Sequence, residues 1–342
     1  MENKKSIILC APKAFGIDKE IYDHLTKLGF DVIYLSLNSN FAYTPFKRII
    51  NFLLKTFFNK HDYKKRSITF QRDKDFWTTF NLIEKKADYA LVFRSDLYPK
   101  SILKAIKNKA NKFIAYQWDN FRIFPEGKRY ISLFDTFYTF DPYDVDLQKG
   151  IFPATNFYFQ DDALPNETLT PSVYFLGSLY PNKMDRVALV SSILKITRKL
   201  NYQQNIYFFN TDRIKGVDSY QSQGINFIEH PISYSESLAN TKKATLLIDI
   251  LGGKNKGLSF RVFEALNYGK KLITNNVEIK KYDFYNSNNI YVIENGNTDN
   301  LKDFLLLPYE DIPQEIKGKY CFDNWIHYIL NLEPYTPIIL PK

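Results

Sequence analysis

Lys256-Gly257-Leu258-Ser259-Phe260-Arg261-Val262-Phe263-Glu264-Ala265-Leu266-Asn267-Tyr268-Gly269-Lys270-Lys271-Leu272-Ile273-Thr274-Asn275-Asn276 is the stretch that decides the fold. It reads as a glycine-containing loop, a short helix, a glycine stop and a buried strand. Upstream, Ala244-Thr245-Leu246-Leu247-Ile248-Asp249-Ile250 is an apolar run bounded by polar residues, the pattern of a buried parallel strand. Leu258, Val262, Ala265 and Leu266 fall on one side of the intervening helix, which predicts packing on the sheet. Phe260, Arg261 and Glu264 lie at i, i+1 and i+4 and share another face. Gly257 and Ser259 stand where the helix begins, among backbone N–H groups that lack intrahelical partners and carry a partial positive charge. An anion bound there would meet N–H donors, an arginine and a carboxylate within one helical turn. That set suits a nucleotide-sugar, with donors for the diphosphate and an acceptor for the ribose hydroxyls. The plain alternative is an ordinary β-α-β unit in which Arg261 and Glu264 form a solvated i,i+3 pair.

From Lys256 to Ala265 the chain resembles the E-G-F-G-x-x-x-x-E-A motif of retaining glycosyltransferases of the GT-B fold. Lys256 stands in place of the first Glu and Ser259 in place of the second Gly. Glu264 keeps the second Glu, which the resemblance implies grips the donor ribose. The variant G-L-S-x-R-x-F-E-A is similar to bacterial surface-polysaccharide transferases of the CgeB-like and lipopolysaccharide-core type. The implied architecture is α/β, with two Rossmann-like domains facing a central cleft. The implied donor residues on this stretch are Gly257, Ser259, Phe260, Arg261 and Glu264. With the first Glu replaced, retention and inversion of the anomeric centre both stay open.

The length of 342 residues accommodates two domains of ordinary size. A content of 45% hydrophobic and 24% charged residues is that of a folded chain. The net charge of +9 favours an anionic partner, for which nucleotide diphosphates, anionic lipid surfaces and nucleic acid all qualify. No nucleic-acid recognition motif accompanies the charge, so a nucleic-acid partner is not expected. The cysteines, Cys10 and Cys321, offer neither a disulfide framework nor metal spacing, and Cys10 reads as a buried, inert thiol in a strand. The apolar run Ile7 to Ala11 is too short for a signal-peptide core, and nothing later approaches the ~18 apolar residues of a membrane span. The expected location is cytoplasmic, at most peripheral to a membrane.

Along the chain, Ser6 to Ala11 predicts a first strand and Phe30 to Leu35 a second. The helix between them carries Ile17, Ile21, Leu25 and Leu28 on one face and stops at Gly29. Asp18 is either a helix cap or, as the resemblance implies for this loop, one of two groups, Asp18 or His24, that act on an acceptor hydroxyl. Residues Pro45 to Arg66 are basic and amphipathic. They suit either an anionic bilayer surface or a helix with a solvated rim. Phe76 to Lys86 predicts a helix, and Tyr89 to Phe93 a strand ending in Arg94-Ser95-Asp96. Lys112 to Tyr116 predicts a strand ending in Gln117-Trp118-Asp119-Asn120, and Asp135 to Phe140 one ending in Asp141-Pro142-Tyr143-Asp144. Polar residues at the carboxyl ends of parallel strands point into a ligand crevice. Trp118 there offers a sugar platform, and Asp119 offers either a cleft carboxylate or a turn cap.

Ala163 to Pro171 reads as a linker. Ser172 to Leu176 then opens a second Rossmann-like half, followed by Gly177, Ser178, Lys183 and Arg186, which the resemblance implies face the donor phosphates. His230-Pro231 follows the strand Ile225 to Ile228; His230 is either a phosphate ligand or a structural histidine. Tyr320 to Leu330 predicts a last helix, which the resemblance implies crosses back to the first domain. The expected domains are 1–165 for the acceptor, 166–319 for the nucleotide-sugar and 320–342 for the returning helix and tail. No D-x-D stands in a matching position, since Asp161-Asp162 are adjacent residues in the linker. The resemblance implies transfer without a bound metal, and no cofactor is expected, the nucleotide-sugar being a substrate. The expected function is metal-independent sugar transfer from a nucleotide-sugar to a bacterial surface glycan or lipid-linked precursor, with Asp18 and Asp119 as candidate catalytic groups. The rival is a GT-B protein that binds nucleotide or glycan without catalysis, a reading that the Lys256 replacement favours.

Overall fold

A computed structural model describes residues 4–36, 76–160, 170–179, 184–210, 214–252 and 256–341. The predicted linker lies almost wholly outside the described residues, as do the basic segment 45–66 and Lys183. Two compact units emerge, one of Met1–Gln117 with Glu126–Phe137, the other of Trp118–Pro125 with Tyr138–Lys342.

The first sheet runs in the order β2-β1-β3-β4-β5-β6, with β1 Ser6–Cys10, β2 Asp31–Tyr34, β3 Ala87–Phe93, β4 Ala110–Gln117, β5 Thr136–Thr139 and β6 Ile151–Pro153. β1 pairs in parallel with β2 and β3, and β3 with β4. Ile7 to Cys10 and Ala90 to Phe93 are fully buried, which explains why both strands are continuous apolar runs and not alternating ones. Burial also pushes the Cys10 thiol far above its usual range, so it stays protonated. Helix α1, Ile17–Lys27, connects β1 and β2, and helix α2, Lys100–Asn108, connects β3 and β4.

Gly29, at φ +91°, ends α1 as predicted. The Gly29 N–H bonds Thr26 O at 3.0 Å and the Phe30 N–H bonds Leu25 O at 3.1 Å, which satisfies two terminal carbonyls. The other end differs from expectation. Gly16, at φ 94°, is the N-cap, so Asp18 lies inside the first turn and does not cap. Its carboxylate instead accepts the Tyr34 hydroxyl at 2.5 Å. The helix predicted over Phe76 to Lys86 also stops early: residues 76–80 are helical, and the chain then turns before β3 begins at Ala87.

The second sheet runs β12-β11-β10-β7-β8-β9, with β7 Ser172–Ser178, β8 Gln203–Phe209, β9 Ile225–Ile228, β10 Leu246–Asp249, β11 Lys271–Thr274 and β12 Ile290–Val292. Its strands pair in parallel, β10 with β11 and β7, β11 with β12, β7 with β8 and β8 with β9. Around it lie α3 Met184–Lys199, α4 Tyr234–Lys243, α5 Phe260–Asn267, α6 Leu301–Leu306 and α7 Phe322–Leu330. Two buried lysines after the Gly269 stop serve helix ends. Lys270 Nζ donates to Lys242 O at 2.7 Å, and Lys271 Nζ to Phe304 O at 2.5 Å. Burial lowers the Lys270 amine to about 8.

α7 packs on the segment 153–159, buried from Ala154 onward, to which the sequence pattern assigns no element. Trp325, fully buried, donates from Nε1 to Thr155 O at 2.9 Å, and its ring lies 4.5 Å from that of Phe157. Tyr328 Oη donates to Pro153 O at 3.0 Å. Backbone bonds Tyr158 N to Tyr320 O and Phe322 N to Tyr158 O close the contact.

Candidate functional site

In the second unit, the carboxyl ends of β7 and β10 and the first turn of α5 bring charged side chains together. β7 ends in Gly177 and Ser178. Arg186, from the first turn of α3, donates from Nη1 to Ser178 O at 2.8 Å and from Nε to Ile250 O at 2.7 Å. Its guanidinium lies over the Phe175 ring at 5.2 Å. Gly177 makes this possible, because a Cβ there would stand 2.6 Å from Arg186 Nη2 and 2.7 Å from the Phe175 ring. Arg186 thus ties the ends of two neighbouring strands together.

β10 ends in Asp249, which is 9% exposed and whose Oδ2 has no hydrogen-bond partner. α5 follows, with Ser259 as N-cap in extended conformation; its buried hydroxyl makes no capping bond and faces the Asp249 carboxyl. Arg261, on the first turn, lies over the Tyr174 ring at 5.0 Å, and its Nη1 is likewise buried and unpartnered. Glu264, 5% exposed, accepts the Tyr234 hydroxyl at 3.0 Å. The expected apolar face is in place: Leu258, Val262, Ala265 and Leu266 are buried, and Phe263 joins them.

The solvated-pair alternative does not hold. Glu264 is buried and bonded to Tyr234, while Arg261 stacks on Tyr174. The reason is the strength of the local packing: α4 and β7 bring an aromatic hydroxyl and an aromatic face to the two charged residues. Burial pushes the Glu264 carboxyl above its usual range, against the pull of Arg261 and the Tyr234 bond. Asp249 is raised for the same first reason, opposed by Arg261, Ser259 and Arg186. Chemically the cluster offers a guanidinium donor, a hydroxyl and two carboxyls, at a helix start where backbone N–H groups favour anions.

The other predicted residues are placed as follows. Phe260 is half-buried, its ring 5.2 Å from Phe157 and 6.2 Å from Trp118, both edge-on. Asp119, half-buried, follows Trp118 in the same unit. His230 is exposed beyond the end of β9. Asp18 and His24 belong to the first unit, where His24 Nδ1 lies 2.9 Å from Glu20 O. Sequence reasoning passed over Asp249, Tyr174 and Tyr234. Asp249 carried a usable signal as the last residue of an apolar run, at the strand end where ligand groups collect. Among the described residues, no three His, Cys, Asp or Glu side chains cluster as a metal site would require, and no helix is long and apolar enough to cross a membrane.

No protein-family model and no curated protein matches this sequence. Solved structures do match. A trehalose-6-phosphate protein from E. coli bound with UDP-2-fluoro glucose aligns over 98% of this chain and 100% of its own, with a TM-score of 0.57 at 8% identity. An alpha,alpha-trehalose-phosphate synthase (UDP-forming) from Burkholderia vietnamiensis aligns over 92% of each chain, with a TM-score of 0.54 at 9% identity. Likeness at such identity speaks for the fold alone. Two six-stranded parallel sheets interleaved with helices give this chain the GT-B fold.

Proposed function

We propose that this protein is a glycosyltransferase that moves a sugar from a nucleotide-sugar donor to a bacterial surface glycan or its lipid-linked precursor. One observation carries the reading. Asp249 Oδ2, at the end of β10, and Arg261 Nη1, on the first turn of α5, are buried polar atoms without hydrogen-bond partners, beside Ser259 and close to the bonded carboxyl of Glu264. Buried polar groups are normally hydrogen-bonded, so a cluster of orphans marks a place that a polar ligand completes. The donor diphosphate would lie at the helix start against Arg261 and Ser259, and the ribose hydroxyls at Glu264. Departure of the nucleotide concentrates negative charge on its phosphate, and fixed N–H donors with Arg261 stabilise that charge. In this reading the transfer uses no metal, and Asp119 or Asp18 serves the acceptor hydroxyl.

The protein would act in the cytoplasm, with the basic segment 45–66 resting on anionic lipid. Charge reversal in that segment should then abolish co-sedimentation with anionic vesicles, and equal partitioning of both forms would remove the membrane contact. A second reading, binding without transfer, is favoured by Lys256, whose ammonium lies 3.3 Å from Glu278 where related transferases carry a carboxylate. A thermal-shift screen with UDP, GDP, CMP, ADP and dTDP, then with their sugar derivatives, tests the donor site. Ligand at a hundred times its dissociation constant stabilises by about 2.7 kcal/mol, so a true donor is visible. Stabilisation by a nucleotide-sugar that is never consumed would favour the second reading.

A further inference from the structure

The loop that leads into α5 is fixed by side chains remote from it in sequence. Asp141, fully buried, accepts the Lys256 N–H on Oδ2 at 3.0 Å and the Tyr143 N–H on Oδ1 at 3.0 Å. Arg122 Nη2 reaches the same Oδ2 at 2.5 Å, so the buried carboxylate is charge-paired. From another side Asn276, 4% exposed, donates to Gly257 O at 3.2 Å and Lys256 O at 3.3 Å. Asn276 is itself oriented, because its Oδ1 accepts the Glu278 N–H and its own N–H bonds Thr274 Oγ1 at the end of β11. Asn156 Nδ2 holds Leu258 O at 2.9 Å. Gly257 is pressed so closely on Phe140 that a Cβ would stand 2.5 Å from the Phe140 carbonyl oxygen. Three successive carbonyls and one N–H are therefore taken by side chains before Ser259 opens the helix.

We infer that Asp141 and Asn276 are positioning residues for the candidate donor site, a role that rests on the donor reading above. They hold residues 256–258 so that Ser259 and the first-turn amides of α5 keep one geometry before any ligand arrives. A loop ordered in advance has no ordering to lose on binding, which strengthens affinity without adding a contact. None of the hydrogen bonds of Asp141 or Asn276 reaches Arg261 or Glu264, so their influence passes through the backbone.

Amide hydrogen exchange of the full chain, read on residues 256–262, tests this together with calorimetric titration of UDP, GDP, ADP, CMP and dTDP. Asn276→Ala and Asp141→Ala should each raise exchange in that segment about tenfold or more while leaving β7 and β8 protected. Each should also weaken binding of the stabilising nucleotide roughly tenfold. Asp141→Asn, which keeps an acceptor for the Lys256 N–H, should restore both values most of the way. Should Asp141→Ala fail to fold, Asn276→Ala carries the test alone. Exchange unmoved by the substitutions overturns the inference. So does faster exchange with nucleotide affinity unchanged. If exchange responds but wild type binds none of the five nucleotides, the loop remains held as described, and the donor reading, with the positioning role that rests on it, falls.

Discussion

Replacing Arg261 by alanine separates a ligand-binding arginine from a structural one. The guanidinium lies over Tyr174 at 5.0 Å and beside the Asp249 and Glu264 carboxyls, and its Nη1 has no hydrogen-bond partner, so one donor is left for a ligand. A cation–π contact of this kind is worth about 0.5–2 kcal/mol. Removing the charge also lets the Asp249 and Glu264 carboxyls rise further, because Arg261 opposes the burial that raises them. The lost stacking costs the folded state about 0.5–2 kcal/mol, and the two buried carboxyls left without their cation add to that loss. Ligand binding is lost separately. A hydrogen bond to a charged group contributes about 1.5–3 kcal/mol, so nucleotide affinity should fall roughly ten- to a hundredfold. Calorimetric titration of the stabilising nucleotide into wild type and Arg261→Ala, at fixed salt, reads this directly. An affinity unchanged within about twofold, in a variant that still melts cooperatively, would refute the reasoning and remove the phosphate from this helix.

Tyr234→Phe deletes the hydroxyl that bonds buried Glu264, and should cost about 1–3 kcal/mol of stability and weaken nucleotide binding. A double-mutant cycle with Glu264→Gln should show clear coupling, and additive effects would contradict the contact. Gly257→Ala drives a methyl against the Phe140 carbonyl and should destabilise by about 1–3 kcal/mol in chemical denaturation, whereas a neutral result would mean the loop is not so close. Asp249 tests the pH dependence. Burial raises its carboxyl above the usual 3.8, so its contribution is fully present below the unfolded pKa and is lost as pH rises through the folded one. Asp249→Asn should accordingly lose less melting temperature than wild type as pH rises from the usual aspartate pKa of 3.8, and parallel curves would show that Asp249 ionises without cost.

Most strands were legible because buried parallel strands write themselves as unbroken apolar runs, as in Ile7 to Cys10 and Leu246 to Ile248, whereas their order within each sheet was not written in any local pattern. Gly29 and Gly269 were equally readable as helix stops, each standing at positive φ. The misses have physical causes. Residues 153–159 have no periodicity because α7, more than a hundred and fifty residues away, supplies their partners. Asp18 looked like a cap because aspartate favours that position, but the left-handed Gly16 opens the helix first and Tyr34 takes the carboxylate. The burial of Glu264 was illegible for a related reason, since its environment comes from Tyr234 on another helix and from the closeness of Asp249. Local spacing placed Arg261 and Glu264 on one helix and could not say what faced them.

The most direct measurement is release of free nucleotide when the full chain is incubated with UDP-, GDP-, CMP-, ADP- and dTDP-sugars, run in parallel with Arg261→Ala and Glu264→Gln. The account predicts that wild type consumes one class of donor. Arg261→Ala should turn that donor over roughly ten- to a hundredfold more slowly, and Glu264→Gln should raise its Michaelis constant more than it lowers turnover. Failure of wild type to bind or consume any of the five classes, or consumption indifferent to both substitutions, would contradict it.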